Sequence, residues 1–295
     1  SGGHASVKPI CERLGLLVEE VPYLYEQYDL DYERLNEKIK SEKIDFILLA
    51  PSDIIKPLQV ERIELQNAVL LYDVSQLLGL IGAGLIHNPL SDFDNIVLFG
   101  GTHKTFPGPA CGLIMTNNKE LHECLETNIN PVYIRHTQMH QKVSLLFTLV
   151  EFENFGSAYQ EHIVELSNAL GMQLERRGLK IARIGDSYSS THEIFIKTDL
   201  ETMNRIFSRS FKYGITLNKK KKKLFDGYGI RLGTQEIARY NWAKESMEDV
   251  AEIIYELSKE SMDEDKVVRL LSRLPKKEIQ YTFDDVSKAY FNKFI

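Results

Sequence analysis

Four short, largely apolar runs dominate the first half of the chain: residues 44–49, 69–72, 95–99 and 111–115. They are rich in Ile, Leu and Val, and amphipathic stretches lie among them. A strand without polar alternation has both faces to bury, so such runs imply a mostly parallel sheet covered by helices. The fold class is therefore α/β. In open sheets of this class the ligand lies at the carboxyl ends of the strands.

The remaining pattern fills in around that sheet. Residues 14–21 read as a further strand, 31–40 as a helix opened by an acidic cap, and 57–66 as another helix. A long helical pattern over 136–156, carrying Val143, Leu146, Phe147 and Val150, leads away from the sheet, and a helix over 158–177 follows. Strands are expected at 180–184, 192–197, 215–217 and 229–232, with helices at 200–213, 237–257 and 266–274. This divides the chain into a large domain over 1–155 and a smaller C-terminal α/β domain over 156–295. The last twenty residues hold Tyr281, Phe283, Tyr290, Phe291 and Phe294, a density of rings expected to dock rather than trail in water.

Bulk properties narrow the function classes. With 295 residues and 43% hydrophobic content the chain can bury a substantial core. A net charge of −6 gives no general attraction to nucleic acid or to an anionic membrane surface. The run Lys219–Lys223 lacks interleaved aromatics and reads as a solvated hairpin. No apolar stretch approaches the roughly 20 residues of a membrane span. Cys11, Cys111 and Cys124 form no close pair, which fits a reducing, cytoplasmic compartment. His136 and His140 have metal-capable spacing on a helix but no third ligand nearby, so no metal site is expected.

The chemistry-bearing residues fall where the sheet would present them. Lys104 follows the run 95–99 inside Gly100-Gly101-Thr102-His103-Lys104-Thr105-Phe106-Pro107-Gly108-Pro109, and Asp73 ends the run 69–72. A lysine at one strand end and a carboxylate at another is what an enzyme needs to hold pyridoxal phosphate. The amine forms a Schiff base with the aldehyde, and the carboxylate keeps the pyridine nitrogen protonated. Alone, Lys104 would read as a surface lysine and Asp73 as a helix cap. Arg231 sits in a short apolar strand between Gly229 and Gly233, an odd place for arginine without an anion to bind. Its planar fork suits a substrate carboxylate.

Several motifs, in order, resemble those of serine hydroxymethyltransferases. Gly100 to Gly112 is similar to the family's lysine segment, Thr-His-Lys-Thr with a following Gly-Pro. Gly2-Gly3-His4 resembles its Gly-Gly-His, Asp73 to Ile81 its Asp-x-(Ala/Ser)-His-x-x-Gly-Leu-Ile, and Gly229 to Thr234 its Gly-x-Arg-(Ile/Leu)-Gly-Thr. Asn218-Lys219 matches its Asn-Lys. The resemblance spans residues 1 to about 260. It implies the large domain of fold type I pyridoxal-phosphate transferases, N-terminally incomplete here, followed by the small domain. A family motif at residue 1 without an initiator methionine leads us to expect a missing beginning, present on a longer chain or on a separate N-terminal half.

The resemblance also implies roles. His4 would stack on the cofactor ring, Ser52 would help position it, and Thr102 and His103 would lie near its phosphate. Ser52 reads nearly as well as a plain strand-end cap. Asn218 would face a tetrahydrofolate cosubstrate, or simply occupy a turn. A homodimer with a shared site is implied as well. Departures bear on the reaction. Gln76 stands where the family has the histidine that meets the cofactor's phenolic oxygen. Asp53-Ile54-Ile55-Lys56 replaces a tyrosine-containing segment, and Arg135-His136 replaces a Gly-Gly pair. The expected activity is making or breaking the Cα–Cβ bond of serine, glycine or a threonine-like amino acid. The alternatives are a folate-independent threonine-type aldolase, a transaldolase, an aminotransferase, or a non-catalytic subunit that needs its N-terminal partner.

Overall fold

The computed structural model describes residues 3–136 and 138–283. In chain order its elements are α1 (Val7–Arg13), β1 (Tyr23–Leu24), β2 (Asp29–Leu30), α2 (Tyr32–Ser41), β3 (Phe46–Leu49), β4 (Val69–Asp73) and α3 (Leu78–Gly82). Then come β5 (Ile96–Gly101), β6 (Gly112–Met115), α4 (Lys119–Ile129), α5 (Met139–Arg176), β7 (Lys180–Ile181), β8 (Glu193–Thr198) and α6 (Leu200–Lys212). The chain continues through β9 (Asn218–Lys222), β10 (Gly227–Gly233), α7 (Gln235–Arg239), α8 (Ser246–Ser258) and α9 (Glu264–Arg273).

The first sheet has the order β3-β4-β5-β6. Its first three strands run parallel and β6 returns antiparallel to β5. Ile47, Leu49, Leu70, Tyr72, Ile96 and Leu98 point from it into a core shared with α2 residues Tyr32, Leu35 and Ile39. α2 forms because those apolar residues recur at helical spacing and Asp31 caps it, accepting from the Arg34 N–H at 3.1 Å.

The second sheet, β7-β8-β10-β9, is antiparallel throughout. Strand alternation sorts its two faces. Ile194, Ile196, Ile230 and Leu232 enter a core with Ile163, Leu166, Leu170 and Leu174 of α5, Ile206 of α6 and Ile254 of α8. The opposite face carries Glu193, Phe195 and Arg231. It is joined to the first half of the chain by a small cluster of Tyr28, Ile55, Phe195, Leu224 and Phe225.

Some expectations change. Residues 14–21 form no strand; Leu14, Leu16 and Leu17 stand exposed. The helix expected over 57–66 shrinks to one 3₁₀ turn, Val60–Arg62. Here α2 side chains take over backbone hydrogen bonding: Tyr32 Oη accepts from the Gln59 N–H, and Asn36 bonds both the Glu64 N–H and the Arg62 carbonyl. The two helices expected either side of Gly156 are one, α5; the glycine is not a break but makes room for the Phe152 ring, which lies where its side chain would go. The helix expected over 237–257 breaks between α7 and α8, with Asn241 at φ 51°. α1 and α4 were not anticipated. Of the C-terminal aromatics, Tyr281 packs 5.6 Å from the Tyr159 ring and Phe283 5.4 Å from Phe155. Tyr290, Phe291 and Phe294 lie outside the described residues.

The turn after β5 is held from two sides. Thr105 is fully buried; its hydroxyl accepts from the Gly79 N–H at 3.1 Å and its carbonyl from Gln160 Nε2 at 2.8 Å. A Cβ on Gly79 would stand 2.6 Å from the Thr105 carbonyl, whereas one on Gly112 would meet nothing nearer than 3.8 Å. Gly79→Ala is therefore expected to lower stability by about 2 kcal/mol or more, as overpacking does. Gly112→Ala should change it by less than about 1 kcal/mol. Thermal or urea denaturation of the two variants checks the contrast.

Candidate active site

β4 and β5 lie side by side with Asp73 opposite Phe99. Asp73 is half-buried, and its Oδ1 accepts the Ser75 N–H at 2.8 Å as well as the Ser75 hydroxyl. Ser75 Oγ in turn accepts the Gly101 N–H at 2.8 Å, tying the two strand ends together. Lys104 leaves the next turn half-buried. Burial holds its amine below the usual lysine range, Arg231 pushes in the same direction, and Asp73, Glu193 and Asp53 oppose. A lysine with this tendency keeps more free amine near neutral pH than a solvated one.

The flank facing them comes from the second sheet. Asn218 pairs with Arg231, Lys220 with Gly229 and Lys222 with Gly227, so these residues share the Arg231 face of β9 and β10. Lys220 and Lys222 reach Asp53 at 2.6 and 2.5 Å. Arg231 Nη1 is 3.0 Å from Asp53 and 3.1 Å from Glu193, and donates to the Ser52 carbonyl. Burial by itself would raise the pKa of Asp53, but hydrogen bonds from Lys220 and Lys222 outweigh it and hold the carboxyl below its ordinary value. Glu193 is 1% exposed, and burial outweighs Arg231, pushing its pKa up to about 7. His192 is also buried; burial first, then Arg231 and Lys104, pushes it down to about 3, so it stays neutral.

Other expected residues gather here to different degrees. Gly3 bridges to Pro51, the His4 N–H donates to the Ala50 carbonyl, and Lys222 Nζ lies 3.3 Å from the Gly3 carbonyl. His4 thus stands beside the loop after β3, its exposed ring bonded to Ser6 at 2.7 Å; Ser1 and Gly2 lie outside the described residues. Ser52 Oγ accepts from Lys222 at 3.0 Å and donates to Asp53, and Gln76 Nε2 donates to the Ser52 carbonyl at 3.2 Å. His103 and Asn218 are exposed. Thr102 is fully buried, and its hydroxyl donates to the Pro109 carbonyl at 2.5 Å, closing the turn that carries Lys104.

The lysine run is also reread. Lys219 and Lys221 face outward over Phe207 and Tyr228, while Lys220 and Lys222 turn inward. Sequence reading missed Asp53, Glu193, Lys220 and Lys222 as site residues. The signals were present: every second residue of a strand shares a face, and Glu193 opens the apolar run Ile194-Phe195-Ile196 on the same face as Phe195. Among the described residues no three His, Cys, Asp or Glu side chains gather as a metal site. Nor, among them, is any helix long and apolar enough to cross a membrane.

The mostly parallel sheet flanked by helices, with Lys104 and Asp73 at adjacent strand ends and Arg231 on a second sheet, has the fold of type I pyridoxal-phosphate transferases. Comparison supports this: an L-threonine transaldolase from Pseudomonas fluorescens superposes with a TM-score of 0.88 at 24% identity, over 99% of this chain and 70% of that one. The family model for serine hydroxymethyltransferase matches residues 1–254. The serine hydroxymethyltransferase of Sulfolobus acidocaldarius is 29% identical over 292 residues, 95% of this chain and 67% of its own length. That of Staphylothermus marinus is 30% identical over 256 residues, 82% of this chain and 57% of its own. The chain belongs to the serine hydroxymethyltransferase family, and it spans about two thirds or less of the length of these relatives.

Asp53→Asn would leave three cations around a neutral buried amide. Breaking such a pair is expected to cost about 3 kcal/mol at neutral pH. The charged form of Asp53 is favoured by folding, so this contribution is present above the ordinary aspartate range. It disappears as pH falls through the depressed folded value. Denaturation curves of both proteins at several pH values should converge in acid.

Proposed function

We propose that this chain is a pyridoxal-phosphate enzyme that makes or breaks the Cα–Cβ bond of a β-hydroxy amino acid, with serine and glycine as its substrate pair. The observation carrying this reading is the place of half-buried Lys104, which feels both Asp73 from the neighbouring strand end and Arg231 from the second sheet. The residues fit the cofactor: an amine held below its usual pKa, a carboxylate fixed by Ser75, and a guanidinium with donors to spare. When bound, pyridoxal phosphate supplies an electron sink for the pair left on Cα by bond cleavage.

Each residue has a part the geometry suits. Lys104 would hold the cofactor aldehyde, and its amine is a candidate base for a proton at the substrate Cα. Asp73, fixed by Ser75, would hold the pyridine nitrogen and keep its proton in place. Arg231 presents N–H groups to the α-carboxylate and so orients the Cα bonds. Gln76, anchored to the Ser52 carbonyl, offers an amide where the family pattern has a titratable imidazole; it can hydrogen-bond but cannot hold a proton at neutral pH. His4, Ser52 and His103 border the cofactor in this reading, and Asn218 lies at the outer edge beside Arg231. Residues 1–155 would form the cofactor-binding unit and 156–295 the smaller one. A homodimer, a cytoplasmic setting and tetrahydrofolate as cosubstrate belong to the same proposal.

A second reading is favoured by Gln76 and by the likeness to a threonine transaldolase fold: aldol chemistry on threonine-like substrates without folate. Glycine formation from L-serine and from L-threonine, each with and without tetrahydrofolate, separates the two. Folate-dependent glycine from serine is expected; equal rates without folate would favour the second. Lys104→Ala should abolish the visible absorbance of bound cofactor and lower turnover by at least about 1,000-fold, the scale on which loss of a covalent and general-base group is felt. Absorbance unchanged in that variant would reject the assignment of Lys104.

A further inference from the structure

Two buried carboxylates share one end of Arg231, and they are not equivalent. Asp53 Oδ1 and Glu193 Oε1 both approach Nη1, which also donates to the Ser52 carbonyl, so Nη2 and Nε form the other edge of the fork. Asp53 has three cationic partners: Arg231, Lys220 and Lys222. Glu193 has one strong backbone donor, the Ile54 N–H at 2.6 Å on Oε2, while its buried Oε1 lies 3.1 Å from Nη1 without a well-aimed N–H. The charged groups facing Glu193 are Arg231 from β10, Lys220 from β9, Asp53 from the loop after β3, and Lys104 from the turn after β5. His192 beside it is 3.6 Å away and held neutral.

Charge arithmetic then constrains the ligand. Arg231, Lys220 and Lys222 carry three positive charges against two on Asp53 and Glu193. An incoming carboxylate would meet this cluster at the free edge of Arg231. It would also place a third carboxylate against a guanidinium that already serves two, and like charges this close disfavour joint ionisation. The weaker-held carboxylate is the one to give way.

We propose that Glu193 is a positioning residue that releases its share of Arg231 to an incoming substrate carboxylate by taking one proton from solvent, while Asp53 stays ionised and keeps the guanidinium in place. The proposal rests on reading Arg231 as the carboxylate ligand. No covalent bond of the ligand changes: the guanidinium remains protonated, a proton comes from water or buffer, and it ends on the Glu193 carboxyl. Its near-neutral pKa places the exchange within the working pH range. The consequence is that carboxylate binding weakens as pH rises through about 7.

The test uses the full cofactor-loaded chain and 3-hydroxypropanoate, which has a carboxylate and a β-hydroxyl but no amine. Calorimetry in buffers of different ionisation heat gives affinity and proton count together. The wild-type chain should take up a fraction of a proton near neutrality and lose at least about fivefold in affinity between about pH 6 and about pH 8.5. Glu193→Gln should take up none and show a flat profile. Absence of uptake by the wild type, which needs no variant, or a Glu193→Gln profile as steep as wild type, overturns the role of Glu193. Undiminished binding by Arg231→Ala overturns the carboxylate reading itself, so the two failures are told apart.

Discussion

The buried carboxylate of Asp53 is the contact on which the site depends. It collects Lys220 and Lys222 from β9 and Arg231 from β10, and it lies in the loop after β3. An unpaired carboxylate this buried would be several kcal/mol out of balance. Three unpaired cations on one sheet face would repel one another. Each problem is solved by the other, and the solution requires the two sheets to face each other at this point. The Glu193–Ile54 and Thr191–Ile54 hydrogen bonds close the same seam from β8.

Against that seam the turn carrying Lys104 is positioned by neutral contacts. Thr105 is fixed between α3 and α5, Phe106 stacks near Phe152 at 4.9 Å, and Thr102 closes the turn on Pro109. A turn held by buried hydrogen bonds and an aromatic pair does not respond to salt or pH. The arginine side of the site, by contrast, is held almost wholly by charge. The site thus combines a half held by neutral contacts, which carries Lys104, with a half held by charge, which carries Arg231.

How much of this was legible depended on the range of the forces involved. The four apolar runs marked β3 to β6 because burial dictates composition locally. The cap at Asp31 marked α2 because capping needs only four consecutive residues. The helix expected over 57–66 failed since Tyr32 and Asn36, far back in the chain, satisfy that backbone instead. Lys220 and Lys222 escaped notice because five equal letters hide which alternate ones face inward until a partner strand fixes the register.

The sequence alone determined the class of sheet, the lysine and aspartate at its strand ends, and the arginine set among glycines, because each follows from neighbours a few residues away. Tertiary structure decided which charges share that arginine. Asp53 and Arg231 stand 178 positions apart, and no local pattern records their meeting. Nor could sequence say that three cations would hold the pKa of Asp53 down while burial pushes that of Glu193 up. Proton affinity is set by burial and by the distance to every surrounding charge, and both exist only once the chain has folded.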